Sequence, residues 1–411
     1  MKTFARRRVL ASSAAALAMP WVARADTKVL KIGVQSIFSG SLALLGTSSR
    51  AGIQPEIDRI NATGGLLGRQ IQPIYRDSKG QPQEAARVAR ELVNTDGCEI
   101  LLDAEASSGT FAVQEVVRDL GVLCVHSNTE ASSLTADPKL RAPTAFRSAR
   151  QGVHDAIVGG AHNAKVATAR NLTRWATCSA DYSYGRDVTT QFLYYLQHFK
   201  PDIEVVVQAW PKLFQPDYTE IITKILQAKP QALYSSLNAG DLSSFINQGN
   251  VYALFSTTQV AVSGLDLPIL SALKSVPAGI QASSRYLPNF PDTPANRAWY
   301  EAYRKANNGD YPTNWSWENA TAMRFVEEAV KKAGSTDGAQ AAAALEGLTI
   351  DVPFSTTGQV TMRASDHTMI GYALGWGTTE PKEPWVTDMA AGDWGQIVEL
   401  ETEWKKRSGF I

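Results

Sequence analysis

The chain has 411 residues, 40 basic and 40 acidic side chains, five histidines, three cysteines and 44% hydrophobic residues. At roughly 100–200 residues per domain this length suggests two domains, each with enough core to fold without disulfides. Beyond the first 25 residues no basic run stands out, which argues against a nucleic-acid partner.

The first 25 residues read as an export leader and not as part of the fold. Arg6-Arg7-Arg8 form a basic head, residues 9–22 are rich in Ala, Ser and Leu, and Ala23-Arg24-Ala25 suits a signal peptidase cutting before Asp26. The apolar stretch is shorter than the ~20 residues that span a bilayer, so no membrane insertion is expected. Arg-Arg-x-Val-Leu at residues 6–10 also resembles a twin-arginine signal. Removing this leader leaves 386 residues with 35 basic and 40 acidic side chains, a net charge of −5. Cys98, Cys124 and Cys178 remain, and an odd count leaves at least one thiol free or paired between molecules. Cys98 and Cys124 fall near neighbouring predicted strands, but parallel strand spacing does not itself make a disulfide.

Strand-like and helix-like segments then alternate. Residues 31–34 read as a buried strand, and Ile53, Ile57 and Ile60 mark one face of a helix. Strands follow at 71–75, 99–102 and 122–125, separated by helices carrying Ala85/Ala89/Leu92 and Val113/Val116/Val117/Leu120. After Phe146-Arg147 the alternation restarts, with strands at 172–178, 203–207, 232–235 and 252–255. From about Ile280 helices dominate, at 295–307, 317–333 and 339–345. Strands with turns at Thr357-Gly358 and 364–367 fill the segment 353–376. Two runs of strand–helix units predict an α/β protein with two Rossmann-like lobes, each a parallel sheet flanked by helices.

No G-x-S-x-G, phosphate-loop, G-x-G-x-x-G or H-E-x-x-H pattern is present. His126, His154, His162, His198 and His367 show no metal-ligand spacing. No cofactor, metal or catalytic residue is predicted. The informative positions are the strand-to-helix turns, because ligands of open α/β sheets sit beyond the strands' carboxyl ends. There the next helix offers free N–H groups and a dipole that favours anions. Ser107-Ser108-Gly109 lies on such a turn and suits a carboxylate, although a Ser helix cap is the plainer reading. Asn128-Thr129-Glu130 lies on the next; Glu130 either meets a ligand amine or is a solvated acid at a helix start. Asp181-Tyr182-Ser183-Tyr184-Gly185 occupies the matching turn of the second half, where Tyr182 and Tyr184 are either cleft walls or packed turn residues. Asn238 and Ser263 follow later strands, and Trp315 and Trp317 read as core or as the wall of a wider pocket.

These stretches resemble the type I periplasmic binding proteins of branched-chain amino-acid ABC transporters. The likeness runs from Lys31 to about Trp376. It is carried by residues 32–40 (IGVQSIFSG), 60–68 (INATGGLLG), Asp77 with Pro82 and the Ala85/Ala89 helix, Asp181 to Asp187, and Pro216-Asp217-Tyr218. The resemblance implies two lobes, 26–148 with 285–351 and 149–284 with 352–411. It also implies a three-segment hinge near Arg147, Ala282 to Arg285, and Ile350 to Phe354. The ligand would be held between the lobes by Ser39, Ala106, Ser107, Ser108, Asn128, Thr129, Glu130, Tyr182, Tyr184, Asn238 and Ser263. The implied role is a monomeric periplasmic receptor that captures a small carboxylate-bearing solute, an amino acid or an aromatic or organic acid. It would hand this solute to a permease in the inner membrane; a sensor reporting to a membrane kinase is the alternative. One departure stands out. Amino-acid binders place an acid for the ammonium after the strand matching 252–255, whereas this chain reads Val260-Ala261-Val262-Ser263-Gly264, with no acid before Asp266. Either Glu130 or Asp266 takes that role, or the ligand lacks an ammonium.

Overall fold

A strand covered by helices on both faces has no solvent side, so its sequence is apolar without alternation. Five strands open the fold, β1 (Leu30–Ser36), β2 (Ile71–Asp77), β3 (Ile100–Ala104), β4 (Leu123–His126) and β5 (Ala145–Arg147), all but the half-buried edge strand β2 of this kind. The computed structural model describes residues 29–411, so the predicted leader lies outside the described residues. The five strands form one parallel sheet in the order β2-β1-β3-β4-β5. β3, at its centre, is buried at all five positions.

A second sheet is built from β6 (Arg174–Cys178), β7 (Glu204–Ala209), β8 (Ala232–Ser235), β9 (Gln259–Val262) and β10 (Gln281–Ser283), all parallel. Beyond them lie β11 (Thr349–Asp351), β12 (Gln359–Met362), β13 (Met369–Ile370), β14 (Gly375–Thr379) and β15 (Val386–Ala391). β14 and β15 extend the second sheet antiparallel, giving the order β15-β14-β10-β9-β8-β6-β7, while β11-β12-β13 form a small sheet of their own.

The helices Ala43–Ala62 and Asn314–Ala333 pack together over the first sheet. Their approach needs Gly52, because a Cβ there would strike the Ser316 carbonyl. The chain therefore passes between the sheets three times: after β5, after β10, and before β14. These passages are stitched to one another. Arg150 Nη1 donates to Ser284 O (2.6 Å), Gln151 N–H to the Tyr372 hydroxyl (3.0 Å), and Ser284 N–H to Gly375 O (2.8 Å).

Three details depart from the sequence reading. The strand expected at 252–255 is a helix-to-helix junction: Ala253 has φ +56°, Tyr252 is exposed, and the strand begins at Gln259. Within 252–255 only Leu254 is buried, from a short helix, whereas Val260 to Val262 are buried consecutively as a strand in the sheet requires. β10, with the sequence Gln-Ala-Ser, carries no apolar run; its place comes from pairing with β9 and β14. Finally, β11 and β12 pair across the 351/352 boundary, and Arg147 N–H donates to His367 O (2.8 Å). Residues 352–370 thus lie against the first sheet's edge. All three cysteines are free and buried.

Candidate ligand-binding site

Turns from both sheets meet at one narrow, nearly closed gap, whose water-accessible volume is about 20 Å³. Ala106 and Ser107 reach it from the turn after β3, Asn128 and Glu130 from after β4, Tyr182 and Tyr184 from after β6, and Asn238 from after β8. Seven of the predicted residues therefore share one space. Leu45, Arg285 and Trp315 complete the wall.

The helix Ser107–Leu120 starts with an unoccupied end. Its cap residue is Ala106, in extended backbone (φ −66°, ψ 153°), with no side chain satisfying the first turn. Ser107 is therefore the first helical residue and not the cap. Gly109 and Thr110 N–H return to Ala106 O at 2.8 and 3.1 Å. The N–H groups of Ser107 and Ser108, with the Ser107 hydroxyl, find no acceptor among the described residues. The first turn of a helix leaves such donors free, and its dipole makes them attractive to an anion.

The neighbouring turn is held from behind. Asn128 Nδ2 donates to Ala104 O (2.8 Å) and Ser49 Oγ (3.0 Å), while its Oδ1 accepts from Asn319 Nδ2 (2.7 Å). Its side chain is thereby committed to positioning the turn. Thr129 does not line the gap; it is fully buried and its hydroxyl bonds Glu105 O and the Thr110 hydroxyl. Ser39 is exposed and donates to Asp77 Oδ2 (2.7 Å), which fixes the loop after β1 outside the gap.

On the opposite side, Gly185 allows the tight turn that presents Tyr182 and Tyr184, since a Cβ there would meet the Ala180 carbonyl. Tyr182 accepts a hydrogen bond from Asn238 Nδ2 (3.2 Å). Ser263 stands behind Tyr184 and receives a bond from Tyr234 (3.3 Å), so it supports the wall without forming it. Ser108 Oγ meets Ser183 Oγ at 3.1 Å, linking the two sides at the rim. Trp315 faces the gap, while Trp317 packs on Phe354 and Tyr372 in the core.

Behind the gap lies a buried charged cluster. Arg285 Nη1 stands 2.7 Å from Glu130 Oε1, and its Nε is 4.0 Å from Asp266 Oδ2. Burial opposes the Arg285 charge, but Glu130, Tyr184 and Asp266 more than offset it and raise its pKa well above the usual value. Burial pushes Asp266 up to about 6 against the pull of Arg285. It pushes Glu318 up to about 8, assisted by the Glu130 charge. Arg150 pairs with Asp155 at 2.8 Å, and Asp155 also accepts from Ser283 (2.6 Å) and Trp376 (3.1 Å). Glu130 is therefore not a solvated acid at a helix start: it is the partner of a buried guanidinium. No sequence pattern announced Arg285 as a wall residue, although it follows the end of β10 just as the other site residues follow theirs.

Two α/β units with facing strand ends, a gap between them and free helix-start donors define a two-lobed solute-binding protein. The chain belongs to the type I periplasmic binding proteins of the branched-chain amino-acid transporter family, and the periplasmic binding protein family model matches residues 29–374. It is similar to a leucine-, isoleucine-, valine-, threonine- and alanine-binding protein of Pseudomonas aeruginosa, with 23% identity over 81% of this chain and 86% of the relative. Its fold matches an ABC-transporter solute-binding protein of Rhodopseudomonas palustris BisB5 in complex with 3,4-dihydroxybenzoic acid. That match has TM-score 0.79 and 21% identity over 90% of this chain and 99% of the other. It also matches a branched-chain amino acid transporter substrate-binding protein of Streptococcus pneumoniae in complex with isoleucine. There the TM-score is 0.75, with 21% identity over 89% and 99% of the two chains. The family consists of transport binding proteins. Among the described residues no helix is long and apolar enough to cross a membrane, and no group of His, Cys, Asp and Glu is arranged for a metal ion.

Proposed function

We propose that this chain is the exported solute-capturing subunit of an ABC importer, taking a small carboxylate-bearing solute in the gap between its lobes and catalysing no reaction. The carrying observation is the pair of uncommitted N–H groups at Ser107 and Ser108, at the start of a helix whose first residue, Ser107, shares the gap with Tyr182 and Tyr184. Hydrogen bonds to a charged group contribute roughly 1.5–3 kcal/mol each, so three supply a good part of the ~8 kcal/mol that micromolar binding requires. The Ser107 hydroxyl would be the third. The leader is cleaved after Ala25, the mature protein is a periplasmic monomer, and the closed form docks on a membrane permease. The hinge uses the three passages between the sheets, with the third at residues 371–374. The pairing of β11 with β12 supports this position over 350–354, because a hinge cannot bend inside a paired hairpin.

Isothermal titration calorimetry with amino acids and with aromatic and aliphatic monocarboxylates tests the reading, with small-angle scattering following closure. Binding accompanied by a smaller radius of gyration is expected. Folded protein that binds neither class would overturn it.

A further inference from the structure

Arg285 is buried, with a side chain 1% exposed, and it lines the gap. Although Nη1 lies 2.7 Å from Glu130 Oε1, the approach is out of line, and neither Nε nor Nη1 makes a hydrogen bond. A buried donor without an acceptor costs about 1–3 kcal/mol, so an oxygen that reaches Nε adds favourably to the Glu130 ion pair. Glu130 also lines the gap. Its negative charge is matched by Arg285, and Asp266, the other acid within reach of that guanidinium, is fully buried and does not line the gap. An incoming ammonium would thus meet a carboxylate already neutralised and a guanidinium that repels it. A ligand oxygen meets the opposite situation: a guanidinium whose Nε N–H has no hydrogen-bond acceptor, free N–H donors at the start of the Ser107 helix, and aromatic walls from Tyr182, Tyr184 and Trp315 for an apolar body.

Building on the proposed capture of a carboxylate, we infer that Arg285 is the specificity-determining residue of the gap and that the solute is a small monocarboxylate with an apolar body and no ammonium group. Arg285 acts by occupying the one acid that could hold an amine. The pair Glu130–Arg285 carries no net charge between its members, so it accepts a neutral hydroxyl or carbonyl of the ligand more readily than a second charge.

Matched ligands that differ only in the amine test this by calorimetry on the purified protein: leucine against 4-methylpentanoate, and phenylalanine against 3-phenylpropanoate, with benzoate as a rigid amine-free acid. At least one amine-free acid is expected to bind, with any amino partner weaker by ~30-fold or more, the factor that corresponds to about 2 kcal/mol. An amino acid that binds as tightly as its amine-free partner, or more tightly, overturns the inference and leaves carboxylate capture standing. Folded protein that binds no carboxylate of either kind overturns both. The variant E130Q separates the roles further. It frees Arg285 for the ligand, so affinity for the amine-free acid rises by about tenfold. A loss of amino-acid binding in E130Q, with amine-free acids unimproved, assigns Glu130 to an ammonium and refutes the inference.

Discussion

The two sides of the gap are built on different principles. On the β3/β4 side the polar side chains are spent on one another. Asn128, Asn319, Ser49 and Ser127 form a neutral network, and apart from Glu130 what this side presents to the gap is mainly backbone N–H. On the other side and at the passages between the sheets, side chains reach the gap directly, as two tyrosines and an arginine backed by a charged cluster. Backbone donors recognise any carboxylate, since they respond to charge and little else. Side chains impose shape and exclude a second charge. On the proposed function, general recognition would fall to the backbone donors and discrimination to the side chains.

Substitutions can break this contrast at graded cost. The largest effect is expected from R150M, which strands Asp155 as an uncompensated buried charge and removes two bonds that tie the passages together. It destabilises the protein by about 3–5 kcal/mol in urea unfolding. Next comes E318Q, whose effect depends on pH. Burial raises the Glu318 pKa to about 8 from an ordinary 4.5, so the folded state holds a proton that the unfolded chain releases. This acid therefore costs stability progressively as pH rises from about 4.5 to 8. Thermal unfolding of E318Q is expected to exceed wild type at pH 8 and to match it at pH 4.5.

On the β3/β4 side, N319L removes the 2.7 Å bonds to Asn128 Oδ1 and from the Ser127 hydroxyl and leaves each with only a 3.3 Å bond, to Ser49 and to Asp103 O, a loss of about 1–3 kcal/mol by the same unfolding assay. S107P sharpens the comparison further. Proline is favoured at the first helical position, and Ala106 already has the extended backbone that precedes it, so the helix survives while one N–H and one hydroxyl are lost. Carboxylate affinity is expected to fall ~10–100-fold in calorimetry with melting temperature unchanged. The smallest effect belongs to Y184F. Its hydroxyl makes only a long 3.4 Å bond to Ser263, and the ring remains, so affinity should stay within about threefold. A large loss there would move discrimination from the ring to the hydroxyl.

The strands β1, β3, β4, β6 and β8 were legible because burial on both faces demands consecutive apolar residues, a local property, and the half-buried edge strands β2 and β7 through their apolar and β-branched residues. The site turns were legible for a related reason: a residue just past a strand's carboxyl end must sit at the sheet edge wherever the sheet lies. That rule reached Ser107, Glu130 and Tyr184, but it also swept in Thr129 and Ser263, whose side chains turn away into hydrogen bonds with neighbours.

What local pattern could not supply was anything made by segments far apart in the chain. β10 is a strand only because β9 and β14 flank it, and residues 352–370 join the first sheet's edge only through distant partners: β11, Thr135, Arg141, Ala145, Phe146 and Arg147. The partnership of Glu130 with Arg285, which changes the meaning of both, exists only once both sheets are in place. Hydrophobic periodicity records which face of an element is buried. It carries no record of which distant charge will share that burial, and here that pairing settles what Glu130 is free to hold.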